Sequence, residues 1–349
     1  MHSKTIRFTI TALLAPAIFG QTQAPPQTLQ DRQFRLTHTA TIQEFQEIAT
    51  LVRTIAEIRD VSADDAQMTL AVRGSAEQIG LAEWLVAQLD QPAGGPIPAT
   101  SPEYKGLSDT DEQRHAITNG VARVFYFPHA ATVQDFQETA NAVRTVTEIR
   151  RVFTYNDGRA MVVRGTPAQM AMAEWLVSHL DQPDPQKQSS AGEYSAGGDD
   201  DVTAVLFLAN AKSVQDFQEI ANTVRTIVEI RRMFTVNTLR AVLMRGTLDQ
   251  MGMAAWLAGE LNKPADAQQS EDSGEYRVPG AADDVMQVFY VSKAKSAQDF
   301  QAIANAVRTV AENRRVFTYN AQRAVAVRGT VNQLALAGKL VHDLDAPSR

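Results

Sequence analysis

The sequence predicts an α+β protein of four tandem small βαββα domains, each a three-stranded sheet with two helices on one face. Three observations predict it. First, Phe45, Phe136, Phe217 and Phe300 each sit in a Gln-Asp/Glu-Phe-Gln core, and an Arg-Gly pair follows each after 28 residues, at Arg73, Arg164, Arg245 and Arg328. Second, every copy carries the same order of strand, helix-cap and turn signals. Third, the copies are separated by segments rich in Pro, Gly, Ser, Gln and Asp that lack apolar periodicity and read as linkers. The chain of 349 residues therefore divides into a signal peptide (1–24), repeat 1 (34–92), a linker (93–120), repeat 2 (121–183), an acidic linker (184–201), repeat 3 (202–264), a second acidic linker (265–284) and repeat 4 (285–347).

Taken in order, the N-terminus reads as an address. Lys4 and Arg7 precede an apolar run from Phe8 to Phe19, closed by small and polar residues, as in a secretory signal peptide. The run is shorter than the roughly 20 residues that span a bilayer, so an uncleaved anchor is the weaker alternative. In repeat 2, Val121 to Phe127 is β-branched and aromatic and reads as a strand. Thr132 and Asp135 then form a capping box that opens a helix, as do Thr41 with Glu44, Ser213 with Asp216 and Ser296 with Asp299. Apolar residues at Val214, Phe217, Ala221, Val224 and Ile227 give that helix one buried stripe in repeat 3.

Two β-rich runs follow around Asn156-Asp157-Gly158, a hairpin signal. A second capping box, Thr166 with Gln169 and Pro167 at the first helical position, opens the last helix. Ser75 with Gln78, Thr247 with Gln250 and Thr330 with Gln333 repeat it. The outer repeats diverge: Asp60 and Ser62 stand where repeat 2 has Arg151 and Phe153, and Gly338 and Lys339 where it has Glu174 and Trp175. The linkers are long enough to let the domains move, which favours beads on a string over a continuous solenoid.

A Val-Arg-Gly-Thr ending before the last helix and a Leu-Asp-Gln-Pro ending after it complete the pattern. The latter is intact at Leu89-Asp90-Gln91-Pro92 and Leu180-Asp181-Gln182-Pro183, and reads Leu261-Asn262-Lys263-Pro264 and Leu344-Asp345-Ala346-Pro347 in the other copies. On these motifs each copy resembles the periplasmic N-domains of bacterial outer-membrane secretins. The resemblance implies an interaction role in the cell envelope, with envelope proteins or further copies as partners. Secretins also carry a long C-terminal barrel domain, and this sequence continues only two residues past repeat 4, so the family's adaptor work is carried over and pore formation is not.

Composition narrows function further. The net charge of −7 argues against nucleic acid as a partner, and the absence of cysteine excludes disulfides, thiolate metal sites and a cysteine nucleophile. The histidines occupy no position common to all the repeats and make no metal-ligand pairing, and no phosphate loop, nucleophile elbow or dinucleotide fingerprint occurs. Asp135 and Glu138 lie three apart on one helix face, where a capping carboxylate and a solvated neighbour account for them. The expectation is a chain with no catalytic residue, no metal and no cofactor.

What remains are arginines in the second half of each unit. Arg151, Arg164, Arg232, Arg245, Arg315 and Arg328 are the candidate partner-binding residues. Their planar forks suit a carboxylate-bearing segment, which the chain's own acidic linkers could supply. Local helical pairs such as Arg144 with Glu148 are the structural alternative. Trp84, Trp175 and Trp256 share one position on the second helix, read as core packing with a partner anchor as the alternative. Glu103-Tyr104, Glu193-Tyr194 and Glu275-Tyr276 recur in the linkers as docking motifs or relics of duplication. The leading functional expectation is an exported, non-catalytic adaptor or scaffold, associated with a secretion or pilus-type assembly. The second is a nucleic-acid- or polyanion-binding KH-like repeat protein using the arginine faces, against which stands the lack of a Gly-x-x-Gly loop.

Overall fold

The computed structural model describes residues 28–92, 95, 97–98, 100–107, 120–183, 192–195, 201–264 and 272–345. The signal peptide falls outside them, as do parts of all three linkers. Four successive groups of elements follow one order. The first is β1 (Gln30–Arg35), α1 (Ile42–Ile55), β2 (Asp60–Asp64), β3 (Thr69–Gly74) and α2 (Ala76–Leu89). After β4 (Glu103–Leu107) come β5 (Gly120–Tyr126), α3 (Val133–Thr147), β6 (Arg151–Tyr155), β7 (Ala160–Gly165) and α4 (Pro167–Leu180). After β8 (Gly192–Ser195) come β9 (Val202–Phe207), α5 (Val214–Val228), β10 (Arg232–Val236), β11 (Ala241–Gly246) and α6 (Leu248–Leu261). After β12 (Tyr276–Arg277) come β13 (Val285–Tyr290), α7 (Ala297–Val310), β14 (Val316–Tyr319), β15 (Ala324–Gly329) and α8 (Val331–Leu344).

The result is a mixed α+β protein with four small antiparallel sheets and, among the described residues, eight helices. The first sheet has three strands in the order β1-β3-β2. The others have four, β4-β5-β7-β6, β8-β9-β11-β10 and β12-β13-β15-β14. The three-stranded expectation is thus corrected for repeats 2 to 4. A short piece of each linker pairs with the edge strand of the sheet that follows it, since an open edge presents unpaired N–H and C=O groups that an extended segment can satisfy. No described helix is long and apolar enough to cross a membrane.

The capping boxes form as their spacing requires, with Thr132 accepting from the Asp135 N–H and Asp135 accepting from the Thr132 N–H. Ser296 is half a box: its hydroxyl accepts from the Asp299 N–H, and no reciprocal bond closes it. The second box also accounts for the Arg-Gly pair. A Cβ built on Gly165 would lie 2.6 Å from the Gln169 Oε1 that caps α4, so a side chain there would displace that cap. The Leu-Asp ending has a fastening role. The Asp90 carboxylate accepts from the N–H groups of Thr37 (2.7 Å), His38 (2.9 Å) and Thr39 (3.0 Å), tying the end of α2 to the loop after β1. Asp181, Asn262 and Asp345 do the same with His129, Asn210 and Ser292.

The expectation of beads on a string is also corrected. Strands alternate their side chains between two faces, and in repeats 2 to 4 both faces are buried. In β5, Val121 and Phe125 join the core of repeat 2, while Ala122 and Val124 join that of repeat 1, together with Tyr155, Ala160 and Val162. Val205, Val236, Ala241 and Leu243 likewise belong to the core of repeat 2, and Met286, Val288, Tyr319, Ala324 and Ala326 to that of repeat 3. Each of these three sheets packs its own helices on one face and the first helix of the preceding repeat on the other. Small units with modest cores gain by sharing them. The first helix is accordingly buried along a band wider than the single stripe its periodicity suggests: Ile220, Thr223 and Val228 are buried beside Phe217, Ala221, Val224 and Ile227.

Candidate functional site: the seams between repeats

Five of the six candidate arginines are carried by the strands that face the preceding repeat and the sixth, Arg315, immediately precedes β14, so the structure brings them together in pairs, one pair at each seam. Arg151 pairs with Arg164 across β6 and β7, Arg232 with Arg245, and strand β15 places Arg328 beside Arg315. At the first seam, Arg151 Nε donates to Glu57 at 2.7 Å and Arg164 Nη1 approaches the same carboxylate at 3.4 Å. Arg164 also donates to the carbonyl of Ile55, the last residue of α1, at 3.1 Å. A cation there meets a carbonyl that the helix leaves unpaired and the negative end of its dipole. Arg245 and Arg328 repeat the contact on Val146 (3.3 Å) and Ile227 (3.1 Å).

The carboxylates come from two sources. Glu148 faces Arg232 and Arg245, and Glu229 faces Arg315. These glutamates end the first helix of the preceding repeat in left-handed backbone, with φ of 62° at Glu229, where glycine is the usual residue. Asp201 and Asp284, the last residues of the two acidic linkers, supply the rest. Arg245 grips Asp201 with both Nε (2.6 Å) and Nη2 (2.7 Å), and Arg328 Nη2 holds Asp284 at 2.7 Å. The Arg245 fork draws the Asp201 carboxyl below the usual carboxylate range, and Asp201 in turn raises the guanidinium. Gly120 occupies the Asp201 position in repeat 2.

A second fastening joins the seams on the hairpin side, and sequence reasoning missed it. Glu138 is not a solvated neighbour of Asp135. Its carboxylate accepts from the backbone N–H of Asn237 at 2.9 Å and from Asn237 Nδ2 at 2.7 Å. Glu47 does this with Asn156, and Glu219 with Asn320. Meanwhile Oδ1 of each asparagine accepts from a glutamine of its own repeat, Gln137, Gln218 or Gln301. The Phe-Gln-Glu run therefore divides its work: the phenylalanine fills its own core, the glutamine holds its own turn, and the glutamate holds the next repeat's turn. The signal that could have found it is the asparagine that opens the turn in repeats 2, 3 and 4, matched by glutamate one repeat earlier each time.

The tryptophans and linker tyrosines solve each other. Trp84 packs against Tyr104 at 5.7 Å between ring centroids, Trp175 against Tyr194 at 5.7 Å and Trp256 against Tyr276 at 5.3 Å. Each linker strand thus pairs with the sheet ahead while its tyrosine is gripped by the helix behind. Tyr126 and Tyr290 add a hydroxyl that donates to the carbonyls of Gln88 (3.0 Å) and Glu260 (3.1 Å) in the preceding repeat. Burial at these seams raises the hydroxyls of Tyr126, Tyr276 and Tyr290. Tyr319, which also faces Asp216 and Glu219 of α5, is pushed up to about 12.

The two ends differ from the seams. Among the described residues no helix precedes the strands of repeat 1, and their outward face carries Asp31, Gln33, Asp60, Ser62, Ala71 and Arg73, all exposed. A shallow depression lies there, lined in part by Asp31, Arg59, Asp60 and Arg73. At the other end, the side of α7 that would meet a further sheet carries Ala302, Ala306 and Val310. Among the described residues no group of three or more His, Cys, Asp or Glu could hold a metal ion.

No protein-family model matches the chain, and no curated protein matches it. Among solved structures it is similar to ExeD of Aeromonas hydrophila, with 14% identity over 68% of this chain and 41% of that one and a TM-score of 0.16. It is similar to the N-terminal domain of the secretin XcpQ from Pseudomonas aeruginosa, with 16% identity over 45% and 64% and a TM-score of 0.18. A structure titled XcpQN012 is covered in full, at 13% identity over 68% of this chain and a TM-score of 0.22. The chain therefore spans less than two thirds of the length of the first two. XcpQ is a secretin, the family whose N-domains the motifs resemble. At these TM-scores the superpositions carry no argument about assembly or activity.

Proposed function

We propose that the chain is a non-catalytic scaffold of the cell envelope, built from four tandem secretin N-domain-like repeats and exported by its N-terminal signal peptide, that holds protein partners of a secretion or pilus-type assembly. One observation carries the reading: the arginine and carboxylate clusters that chemistry would need are spent on joining repeat to repeat. Arg164 and Arg328 are buried, and their forks are occupied by helix carbonyls and carboxylates of the same chain. A surface that devotes its charges to fixing domain against domain produces an array of set geometry, which is what a spacer or platform between proteins requires. The same occupancy weighs against the polyanion reading, because Arg151, Arg164, Arg245 and Arg328 are turned into the seams, leaving Arg232 and Arg315 the more exposed of the six.

The test is crosslinking in the native envelope with a short amine-reactive reagent, followed by fractionation and identification of what is captured. The expected result is protein in the periplasmic or membrane-associated fraction, joined to components of a secretion or pilus-type assembly. Recovery of the chain alone and monomeric, or in the cytosol with its signal uncleaved, overturns the reading.

A further inference from the structure

The side of the first helix that meets the following sheet can be identified by comparing equivalent positions. Ile55, Val146 and Ile227 are 0%, 1% and 0% exposed, whereas Val310, at the same place in α7, is 52% exposed. Leu51, Ala142 and Thr223 are buried, and their counterpart Ala306 is half-exposed. Val310 and Ala306 therefore mark the part of α7 that a fifth sheet would cover. Glu312 belongs to the same surface. It keeps the left-handed backbone of Glu57, Glu148 and Glu229, with φ of 48°, a conformation that is unfavourable for any residue but glycine. In the three internal copies that backbone delivers a carboxylate to an arginine pair.

We propose that this face of α7, formed by Ala302, Ala306, Val310 and Glu312, docks the uncovered sheet of a βαββα-type domain on another protein chain, one that carries arginines at the positions of Arg315 and Arg328. The proposal deepens the scaffold reading and rests on it. Continuity with three internal interfaces of the same kind, and the charge complement between Glu312 and an arginine pair, select this occupant.

A second copy of this chain does not fit. Its only uncovered sheet among the described residues is that of repeat 1, which presents Asp60, Ser62, Asp64 and Asp65 where repeat 2 presents Arg151, Phe153, Tyr155 and Asn156. Asp60 would set a carboxylate against Glu312, and neither Ser62 nor Asp64 offers Val310 an apolar surface. A domain tethered behind repeat 4 in the manner of the others is disfavoured too. Lys339 stands where Trp84, Trp175 and Trp256 grip the linker tyrosine. Finally, Ala302 replaces the glutamate that fastens the next hairpin turn, so docking lacks one of the two polar fastenings and is reversible where the internal seams are permanent.

The test uses the full chain and supplies the missing sheet. The variant Asp60→Arg/Ser62→Phe/Asp64→Tyr/Asp65→Asn gives repeat 1 the outward face of repeat 2 at four exposed positions. In sedimentation velocity the parent chain is expected to be one species across a hundredfold concentration range. The converted chain is expected to associate head to tail at least tenfold more tightly, and adding Val310→Lys and Glu312→Lys returns it to the parent value. Association that survives the Val310 and Glu312 changes, or its absence in a converted chain with the parent's circular dichroism, overturns the proposal.

Should the fourfold variant misfold, the single change Asp60→Arg carries the question instead. The chain has no cysteine, so Ser62→Cys and Val310→Cys in that background report head-to-tail contact as intermolecular disulfides. No excess of crosslinking over the same pair without Asp60→Arg counts against docking. Because the purified chain is measured alone, failure here removes the docking face and leaves the envelope role to its own crosslinking test.

Discussion

Replacing Ile227 by alanine should separate repeat 4 from the rest of the array. Ile227 is fully buried in the core that repeat 3 shares with the sheet of repeat 4, and its outward position is fixed by comparison with exposed Val310. Truncating a buried isoleucine costs about 2–5 kcal/mol, through lost transfer energy and the cavity left behind. A ~60-residue unit has a small stability margin and an urea m-value near the low end of about 1–3 kcal/mol/M. A loss of about 3 kcal/mol at one seam therefore moves the midpoint of repeat 4 by ~2–3 M, enough to melt it on its own. Val310→Ala removes the same kind of methyl groups from a half-exposed site and should stay within about 0.5 kcal/mol.

The assay exploits the distribution of tryptophan. Trp84, Trp175 and Trp256 lie in repeats 1 to 3, and repeat 4 has none. Because Trp256 packs on Tyr276, whose strand β12 is held by β13 of repeat 4, the assay is run in a Trp256→Phe background; tryptophan fluorescence then follows the first two repeats, while far-ultraviolet circular dichroism follows all four. In the parent chain the two urea transitions should coincide, because the seams couple neighbours. In Ile227→Ala the dichroism should fall first, by the share belonging to α7 and α8, with fluorescence following at higher urea. The reasoning is refuted if Ile227→Ala and Val310→Ala shift the curves equally, or if the parent's two transitions are already apart.

Three further outcomes are expected. Glu138→Ala, which leaves the Asn237 N–H and Nδ2 without their carboxylate, should lower stability by about 1–3 kcal/mol, whereas Gln134→Ala, at an exposed position of the same helix α3, should change it far less, both read from urea midpoints. Asp201 has its carboxyl held low by Arg245, so the stability it contributes is present above the unfolded carboxylate pKa near 4 and is lost as pH falls through the folded value. Asp201→Asn should therefore flatten the acid limb of a stability–pH profile below about pH 4 and lower stability at pH 7. Tyr276→Ala should release β12 from Trp256, red-shifting tryptophan emission and speeding hydrogen exchange at Glu275 to Arg277, with the exchange of β13 residues Val288 and Phe289 unchanged.

Local chemistry made much of each unit legible. Capping boxes, the hairpin and the first helix follow from side chains acting within a few residues of themselves, and sequence spacing records such contacts directly. The joining of units was harder to read because its partners lie about a hundred residues apart: Glu138 acts on Asn237, and Arg328 on the carbonyl of Ile227. Linker composition misled in a specific way. Pro, Gly and Ser lower the tendency to form independent structure, yet four or five residues such as Glu103 to Leu107 suffice to pair with an edge that already exists. One available sign of two-sided burial lay in the strands themselves. Ala160-Met161-Val162-Val163 is continuously apolar, as strands buried on both faces are, whereas β1 reads Gln30-Asp31-Arg32-Gln33 and is exposed along those positions.

The arginines show why residue type alone could not separate structure from recognition. A planar fork beside a carboxylate looks the same whether the carboxylate belongs to a partner or to the preceding repeat, and only placement distinguishes them. Placement also sets how strong each contact must be. Inside the chain the linkers make every seam intramolecular, so the effective concentration of one face for the next is high and modest contact energy suffices. Docking of another chain on the face of α7 is intermolecular and lacks the glutamate fastening. Docking there must be supported by a partner presented at high local concentration, and a soluble single domain bearing the matching arginines should bind it only weakly.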